Sequence, residues 1–224
     1  MPIEIFVTAT NTDVGKTHTT LLLMAKAAER GLRPAAFKPI ETGVFDIPPD
    51  GAKLLEATRR LNPDAAHLRL EEIVPVRYAL PAAPCVARGG APVDYGLILE
   101  RLEAVRSVCD ILFVEGAGGL MVPVDEKRFM IDLPGLFGVT TTLLVTPGRL
   151  GCINDTLLSS TALQSRGIAF ETAVNLREGE REGFDRITRP YYREAGVKFW
   201  LFPDEAESFV GALEDQRQAS GAYR

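Results

Sequence analysis

The densest chemistry in this chain of 224 residues lies near its start, in Thr8-Ala9-Thr10-Asn11-Thr12-Asp13-Val14-Gly15-Lys16-Thr17. An apolar run, Ile3 to Thr8, leads into this polar turn, and a helical pattern begins at Lys16. Strand, loop and helix in that order make a cradle for phosphates. Gly15 lets the backbone come close, and the amides of the first helical turn point at the anion. Lys16 places a point charge on the outer phosphates, and the Thr17 hydroxyl is a ligand for magnesium. The loop is a variant: a glycine ordinarily stands where this chain has Thr10, and Ala9 is the nearest small residue.

Such a loop needs an acidic partner at the end of a neighbouring strand to hold the metal. Ile111-Leu112-Phe113-Val114-Glu115 supplies one, followed by Gly116-Ala117-Gly118-Gly119. A charge at the end of a doubly buried strand is costly alone, which favours a metal role over a turn cap. The glycines read as places where backbone approaches a ligand, because the third glycine of a dinucleotide fingerprint is missing. Two residues stay open at this level. Asp50 either caps a helix beginning at Ala52 or joins the metal set. Lys38 either extends its stem to solvent from a strand end or supplies a second cation during phosphoryl transfer. Lys16 itself is read as lying in an exposed ligand loop.

The elements that must position these residues follow from hydrophobic period and breakers. Leu21, Leu22, Ala25, Ala27 and Ala28 mark one face of the first helix, which Gly31 stops. Pro34 to Lys38 reads as a second strand and Ala52 to Arg60 as a helix. Asn62 to Val93 is proline-rich and shows only one short helix, near Pro84 to Arg88. Asp94 opens an amphipathic helix carrying Leu97, Ile98, Leu102, Val105 and Val108. Ile111 to Val114, Thr141 to Val145 and Ala169 to Val174 are unbroken apolar runs, as strands buried on both faces are. A helix from about Ile153 to Gln164 separates the last two runs. Val197 to Phe202 reads as a final strand, followed by a short helix and a polar tail. Strands alternating with helices predict an α/β fold: a mainly parallel central sheet with helices on both faces, in one domain over residues 1–224. Right-handed crossovers then gather the strand C-termini at one edge, where ligands bind.

Composition narrows the partners. Lysine and arginine number 25 and the acidic residues 30, for a net charge of −5, with no basic run of the kind nucleic-acid binders carry. Cys85, Cys109 and Cys152 are far apart, and His18 and His67 are isolated, so no His/Cys metal site is expected. The N-terminus lacks the pattern of a signal peptide, and no apolar run spans a bilayer. The expectation is a cytoplasmic protein with neither nucleic acid nor membrane as partner.

Four segments together carry a family likeness: the variant loop, Lys38-Pro39-Ile40-Glu41-Thr42-Gly43, Val114-Glu115-Gly116-Ala117-Gly118-Gly119, and Gly151-Cys152-Ile153-Asn154. In order and spacing, from about Phe6 to Asn175, they resemble the dethiobiotin synthetases, and Tyr78 to Gly89 is similar as well. The resemblance implies a P-loop NTPase fold and the closure of a ureido ring on 7,8-diaminononanoate. Carbon dioxide or bicarbonate is the carbon source, and ATP, or another nucleoside triphosphate, drives the reaction with Mg2+. One amine becomes a carbamate, the carbamate takes the γ-phosphoryl group, and the second amine displaces phosphate. Asp13, Val14, Gly15, Lys16, Thr17 and His18 would cradle the nucleotide, beside Asp50, Glu115, Gly116, Ala117 and Gly118. Asn175 matches a base-contacting asparagine, and Thr17, Asp50 and Glu115 would hold magnesium. Lys38 and Lys16 would be catalytic, and Thr42 would touch the substrate. Gly151 and Asn154 would open a helix at a homodimer interface and receive the substrate carboxylate from the partner subunit. Two departures stand out. Ala9 replaces a glycine many members carry, and Leu176-Arg177-Glu178-Gly179 does not resemble the proline-containing stretch that often follows the asparagine.

The alternative is a P-loop switch of the partitioning or cell-division type. Those proteins usually carry a lysine early in the loop, and Thr8 to Asp13 contains none. Nor does the tail, Ala219 to Arg224, form a basic amphipathic anchor.

Overall fold

A computed structural model describes residues 1–221, with side chains through residue 219. The end of the tail considered above, residues 222–224, lies outside the described residues. Six strands form one parallel sheet in the order β2-β5-β1-β6-β7-β8. They are β1 (Ile3–Ala9), β2 (Pro34–Phe37), β5 (Ile111–Glu115), β6 (Thr141–Pro147), β7 (Phe170–Asn175) and β8 (Trp200–Phe202). Every residue of β5 is buried, as its unbroken apolar composition requires of a strand covered on both faces.

The two-residue period of the strands assigns the faces. Leu143 and Val145 of β6, with Ala173 of β7, join the core under α1 (Lys16–Glu29) and α10 (Ala206–Gly221). Leu144 faces the other way, toward Leu163 of α7 (Cys152–Ser165). Val174 packs with Phe184 and Tyr192 on that opposite side. Helices therefore cover both faces, as the alternating pattern predicts.

Four local readings are corrected. In α1 the buried residues are Lys16, Thr19, Thr20, Leu23, Met24 and Ala27, while Leu21, Leu22, Ala25 and Ala28 are only half-buried. This helix is apolar around most of its girth because α2 (Pro49–Leu61) and α10 flank it, so hydrophobicity alone misplaces its inner face. The proline-rich stretch also holds more than one short helix. It contains α3 (Leu70–Ile73), β4 (Val76–Tyr78) and α4 (Pro84–Ala87), ahead of α5 (Tyr95–Arg106). β4 pairs in parallel with β3 (Ile40–Thr42) as a separate two-stranded sheet. Strands of three residues are too short to show a period.

Between Arg181 and Glu194 runs a helical stretch that pattern did not reveal: α8 (Arg181–Gly183), a π-helical turn at Phe184–Thr188, and α9 (Arg189–Glu194). An extra residue per turn breaks the 3.6-residue period on which recognition rests. The segment after β8 is a 16-residue helix, α10, and not a short one. One more short helix, α6 (Leu133–Phe137), leads into β6.

The structure also decides one of the alternatives left open for Asp50. It lies inside the first turn of α2 and does not cap it. The cap comes from Glu41 on β3, whose carboxylate oxygens accept from the Asp50 and Gly51 amides, both at 2.9 Å. A carboxylate there satisfies two orphan amides and meets the positive end of the helix. Gly51 is required by a further neighbour: a Cβ there would lie 2.2 Å from the Val74 side chain.

Glu41→Ala is therefore expected to lower unfolding stability by about 1–2 kcal/mol, with Glu41→Gln, which keeps an acceptor, losing less. Denaturant titration of the three proteins checks the order. Equal stability of all three would mean that Glu41 does not cap the helix.

Candidate active site

The parallel sheet delivers its chemistry to one edge. β1 ends at Ala9 and hands the chain to the phosphate loop, β5 ends at Glu115, and β2 ends immediately before Lys38. β5 lies between β1 and β2, so Glu115 stands between the loop and Lys38. The loop and Lys38 open onto a cleft of about 560 Å³, lined by Thr12, Asp13, Gly15, Lys16, Thr17 and His18 on one side, with Glu115 buried behind it. Lys38, Glu41, Thr42 and Asp50 line the other side, with Ala117, Gly118 and Arg177 completing it.

Glu115 is 0% exposed and has three partners. The Thr17 hydroxyl donates to Oε1 at 2.8 Å, the Thr20 hydroxyl to Oε2 at 3.0 Å, and the Lys38 ammonium to Oε1 at 2.7 Å. Thr20 was missed in the sequence, although it lies three residues after Thr17 and so on the same face of α1. Lys38 is itself 3% exposed, and its Nζ also stands 3.5 Å from Asp50 Oδ2. Burial pulls the Lys38 pKa down, but the charges of Glu115 and Asp50 and the hydrogen bond to Glu115 outweigh it, so the net shift is upward. Lys38 therefore stays a cation in the interior; it does not reach along its stem to solvent.

Lys16 is in a different state. It is only 8% exposed, contrary to the exposed position read from the sequence, and its Nζ donates to the Asn11 carbonyl at 3.3 Å. Burial, and then the Lys38 charge, lower its pKa to about 8. No side chain caps the N-terminus of α1, where Gly15 adopts φ 101°. The loop thus offers backbone donors and a lysine whose positive charge is held at a cost, a setting that favours an anion.

Asn175 stands behind this loop. Its Nδ2 donates to the Val14 carbonyl at 3.0 Å, and a Cβ on Gly15 would lie 2.1 Å from that nitrogen. Glycine is demanded here by φ and by the neighbour together. Val14 is buried, and neither it nor Asn175 lines the cleft. The close approach expected of Gly116 and Gly119 is to protein. Added Cβ atoms would lie 3.1 Å from the Phe6 ring and 3.2 Å from the Thr10 carbonyl, respectively. Gly151 and Asn154 lie elsewhere, in a separate, mainly apolar groove of about 570 Å³ with Leu150, Ile153 and Ile187. Gly151 precedes α7, and the Asn154 amide donates to Asp155 Oδ1 at 3.1 Å. Sequence reasoning also overlooked Thr12, Glu41 and Arg177 as cleft residues. Only their places in known motifs hinted at the first two, and nothing hinted at Arg177.

Residues 4–192 match a family model described as an AAA domain. An ATP-dependent dethiobiotin synthetase of Sulfurovum sp. is 48% identical over 94% of this chain and 99% of its own length. That of Wolinella succinogenes is 39% identical over 93% of this chain and 97% of its own length. Among solved structures, a plasmid partition protein of Borrelia burgdorferi aligns with a TM-score of 0.57 at 9% identity, over 97% of this chain and 99% of that one. The MinC:MinD cell division complex of Aquifex aeolicus aligns with a TM-score of 0.53 at 16% identity, over 92% and 85%. At such identities these structures speak to the P-loop fold alone.

The depressed Lys16 pKa carries a signed consequence. A bound triphosphate raises it, so binding takes up protons at pH above about 8. Below that pH the lysine is charged with or without ligand and affinity is flat; above it affinity falls. Calorimetry of ATP binding in EDTA at pH 8.8, in two buffers of different ionisation enthalpy, is expected to report uptake of a fraction of a proton. Lys16→Arg, whose guanidinium stays charged throughout this range, is expected to bind without uptake. Uptake that persisted in Lys16→Arg would assign the titration to another group.

Proposed function

Because this chain belongs to the ATP-dependent dethiobiotin synthetase family, we propose a division of labour among its cleft residues for that family's reaction. The enzyme is a ligase that forms C–N bonds. It carboxylates 7,8-diaminononanoate with CO2 and closes the ureido ring of dethiobiotin in biotin synthesis, turning ATP into ADP and phosphate. A carbamate oxygen is a poor leaving group until it becomes phosphate, and this is the chemical reason for ATP. The cleft must therefore hold a triphosphate and a carbamate end to end.

One observation carries the assignment: two buried lysines, Lys16 on the phosphate loop and Lys38 across Glu115, line the same cleft. Lys16, with the amides of Asp13 to His18, holds the outer phosphates. Lys38 faces the carbamate and the phosphoryl group in transit, where negative charge accumulates in the transition state. Its tether to Glu115 fixes the ammonium in advance, so little reorganisation accompanies the reaction. Thr42, on the Lys38 side, contacts the diamine.

Of the proposed oxygen donors Thr17, Asp50 and Glu115, the first two line the cleft and suit magnesium, a hard cation that completes its shell with phosphate oxygens and water, while Glu115 is buried behind them and accepts from the Thr17 hydroxyl. Bound there, it would neutralise charge on the triphosphate. The Lys38 ammonium already lies between the two carboxylates, which are thus arranged to attract positive charge. Asn175 supports nucleotide binding by bracing Val14, and Gly116 by carrying the turn that brings Ala117 and Gly118 to the cleft.

Gly151 and Asn154 do not reach this cleft within one chain. Their groove, with Leu150 96% exposed beside it, supports a homodimer in which the start of α7 serves the partner's substrate carboxylate. Among the described residues no helix is long and apolar enough to cross a membrane. We place the enzyme in the cytoplasm, acting on small molecules, with neither nucleic acid nor membrane as partner.

The direct test is phosphate release from MgATP with and without 7,8-diaminononanoate and bicarbonate, with the product analysed by mass. The expected product carries one more carbonyl and two fewer hydrogens than the diamine. Phosphate release indifferent to the diamine would reject the reaction. Lys38→Ala is expected to lower kcat by roughly 100-fold and to change ATP affinity little, whereas Lys16→Ala loses both. Unchanged kcat with weakened ATP binding in Lys38→Ala would contradict the transition-state role.

A further inference from the structure

The side of the cleft away from Lys38 carries an arginine with no role so far. Arg177 stands two residues beyond the end of β7, is exposed, and lines the cleft. Both of its ends are tied down. Its backbone amide donates to Glu180 Oε2 at 3.1 Å, and that oxygen also accepts from the Gly148 amide at 3.3 Å, just past β6. Its guanidinium donates through Nη2 to the Asp13 carbonyl of the phosphate loop. A long cation has thus been laid across the mouth of the cleft and fastened to the shoulder of the loop.

The sheet order says which part of a nucleotide meets it. Glu115, Lys38 and Asp50 lie toward β5 and β2, on one side of β1, whereas Arg177 follows β7, two strands to the other side. A nucleoside triphosphate whose terminal phosphate points at Lys38, with its chain along the start of α1, extends its nucleoside toward β6 and β7. The side chain of Asn175, already donating to Val14, has that amide proton committed to the loop. Asn175 is also buried and does not line the cleft, so on this side the cleft presents a planar cation, Arg177. Guanidinium planes stack on aromatic faces, and every base presents one.

We propose that the Arg177 guanidinium forms one wall of the nucleobase site and stacks on the base of the bound nucleoside triphosphate with little regard to its identity. This rests on the nucleotide reading of the cleft. It makes Arg177 a binding residue that serves adenine and cytosine alike, and it gives a role to a stretch where the family likeness ends.

The test compares ATP, CTP and inorganic tripolyphosphate as ligands of the full-length protein in Mg2+, by calorimetry. Arg177→Ala is expected to weaken ATP and CTP by roughly 5- to 30-fold and to leave tripolyphosphate unchanged. Arg177→Lys, which keeps the charge but not the plane, is expected to behave like Arg177→Ala. Because the side chain is exposed, thermal unfolding of both variants should match the parent. An equal loss for tripolyphosphate, or full rescue by lysine, would overturn stacking in favour of a charge contact to phosphate. Unchanged ATP affinity would remove Arg177 from the site. Lys16→Ala separates the two levels: it should lose all three ligands, and if it retains them the nucleotide reading itself fails, independently of Arg177.

Discussion

A carboxylate taken wholly out of water must be met by charge and hydrogen bonds from the protein, and in this fold that demand falls at Glu115. Its two oxygens are shared among Thr17, Thr20 and Lys38. Those partners come from α1 and from the end of β2, while Glu115 itself ends β5. The contacts therefore join three elements that the chain order separates by many residues. Breaking a buried pair of this kind costs about 3–5 kcal/mol, because the remaining charge is left uncompensated. The same contacts that satisfy the carboxylate set the distance between the phosphate loop and the second lysine.

From that constraint the two lysines take opposite characters. Lys38 has two carboxylates and stays charged despite burial. Lys16 is buried with weaker compensation, and its pKa falls to about 8. One is a fixed positive wall. The other is a cation short of a partner, which a polyphosphate supplies. Catalysis by preorganised charge needs this asymmetry: a ligand completes one site while the other is already in place. Glu41 contributes at one remove, by capping α2 and so holding Asp50 at the edge of the same cleft.

Much of this was legible before any coordinates. Long strands and helices announce themselves by period, and Asp94 opens α5 as the sequence predicts, its Oδ1 also accepting from the Leu97 amide at 2.9 Å. The phosphate loop, Lys38, Asp50 and Glu115 are all candidates in the sequence; Lys38, Asp50 and most of the loop line one cleft, and Glu115 is buried behind it. What escaped was short, irregular or non-local. The β3 and β4 pair is too brief for a pattern, and the π-helical turn has the wrong period. The apolar girth of α1 hides its inner face. The cap of α2 comes from another strand and not from the residue just before the helix.

The sequence by itself determined the class of fold and the chemistry on offer: a parallel α/β sheet, a phosphate cradle, hard oxygen donors and a family with one reaction. These are local or periodic properties, written in runs of neighbouring residues. Only the tertiary structure decided which ambiguous side chains work together. Lys38 turns inward, Asp50 yields its capping role to Glu41, and Gly15 needs its missing Cβ because of Asn175. Each of those outcomes depends on the burial of a charge or on the space beside an atom. Burial and space are set by what the rest of the chain brings alongside, and no stretch of sequence contains its own neighbours.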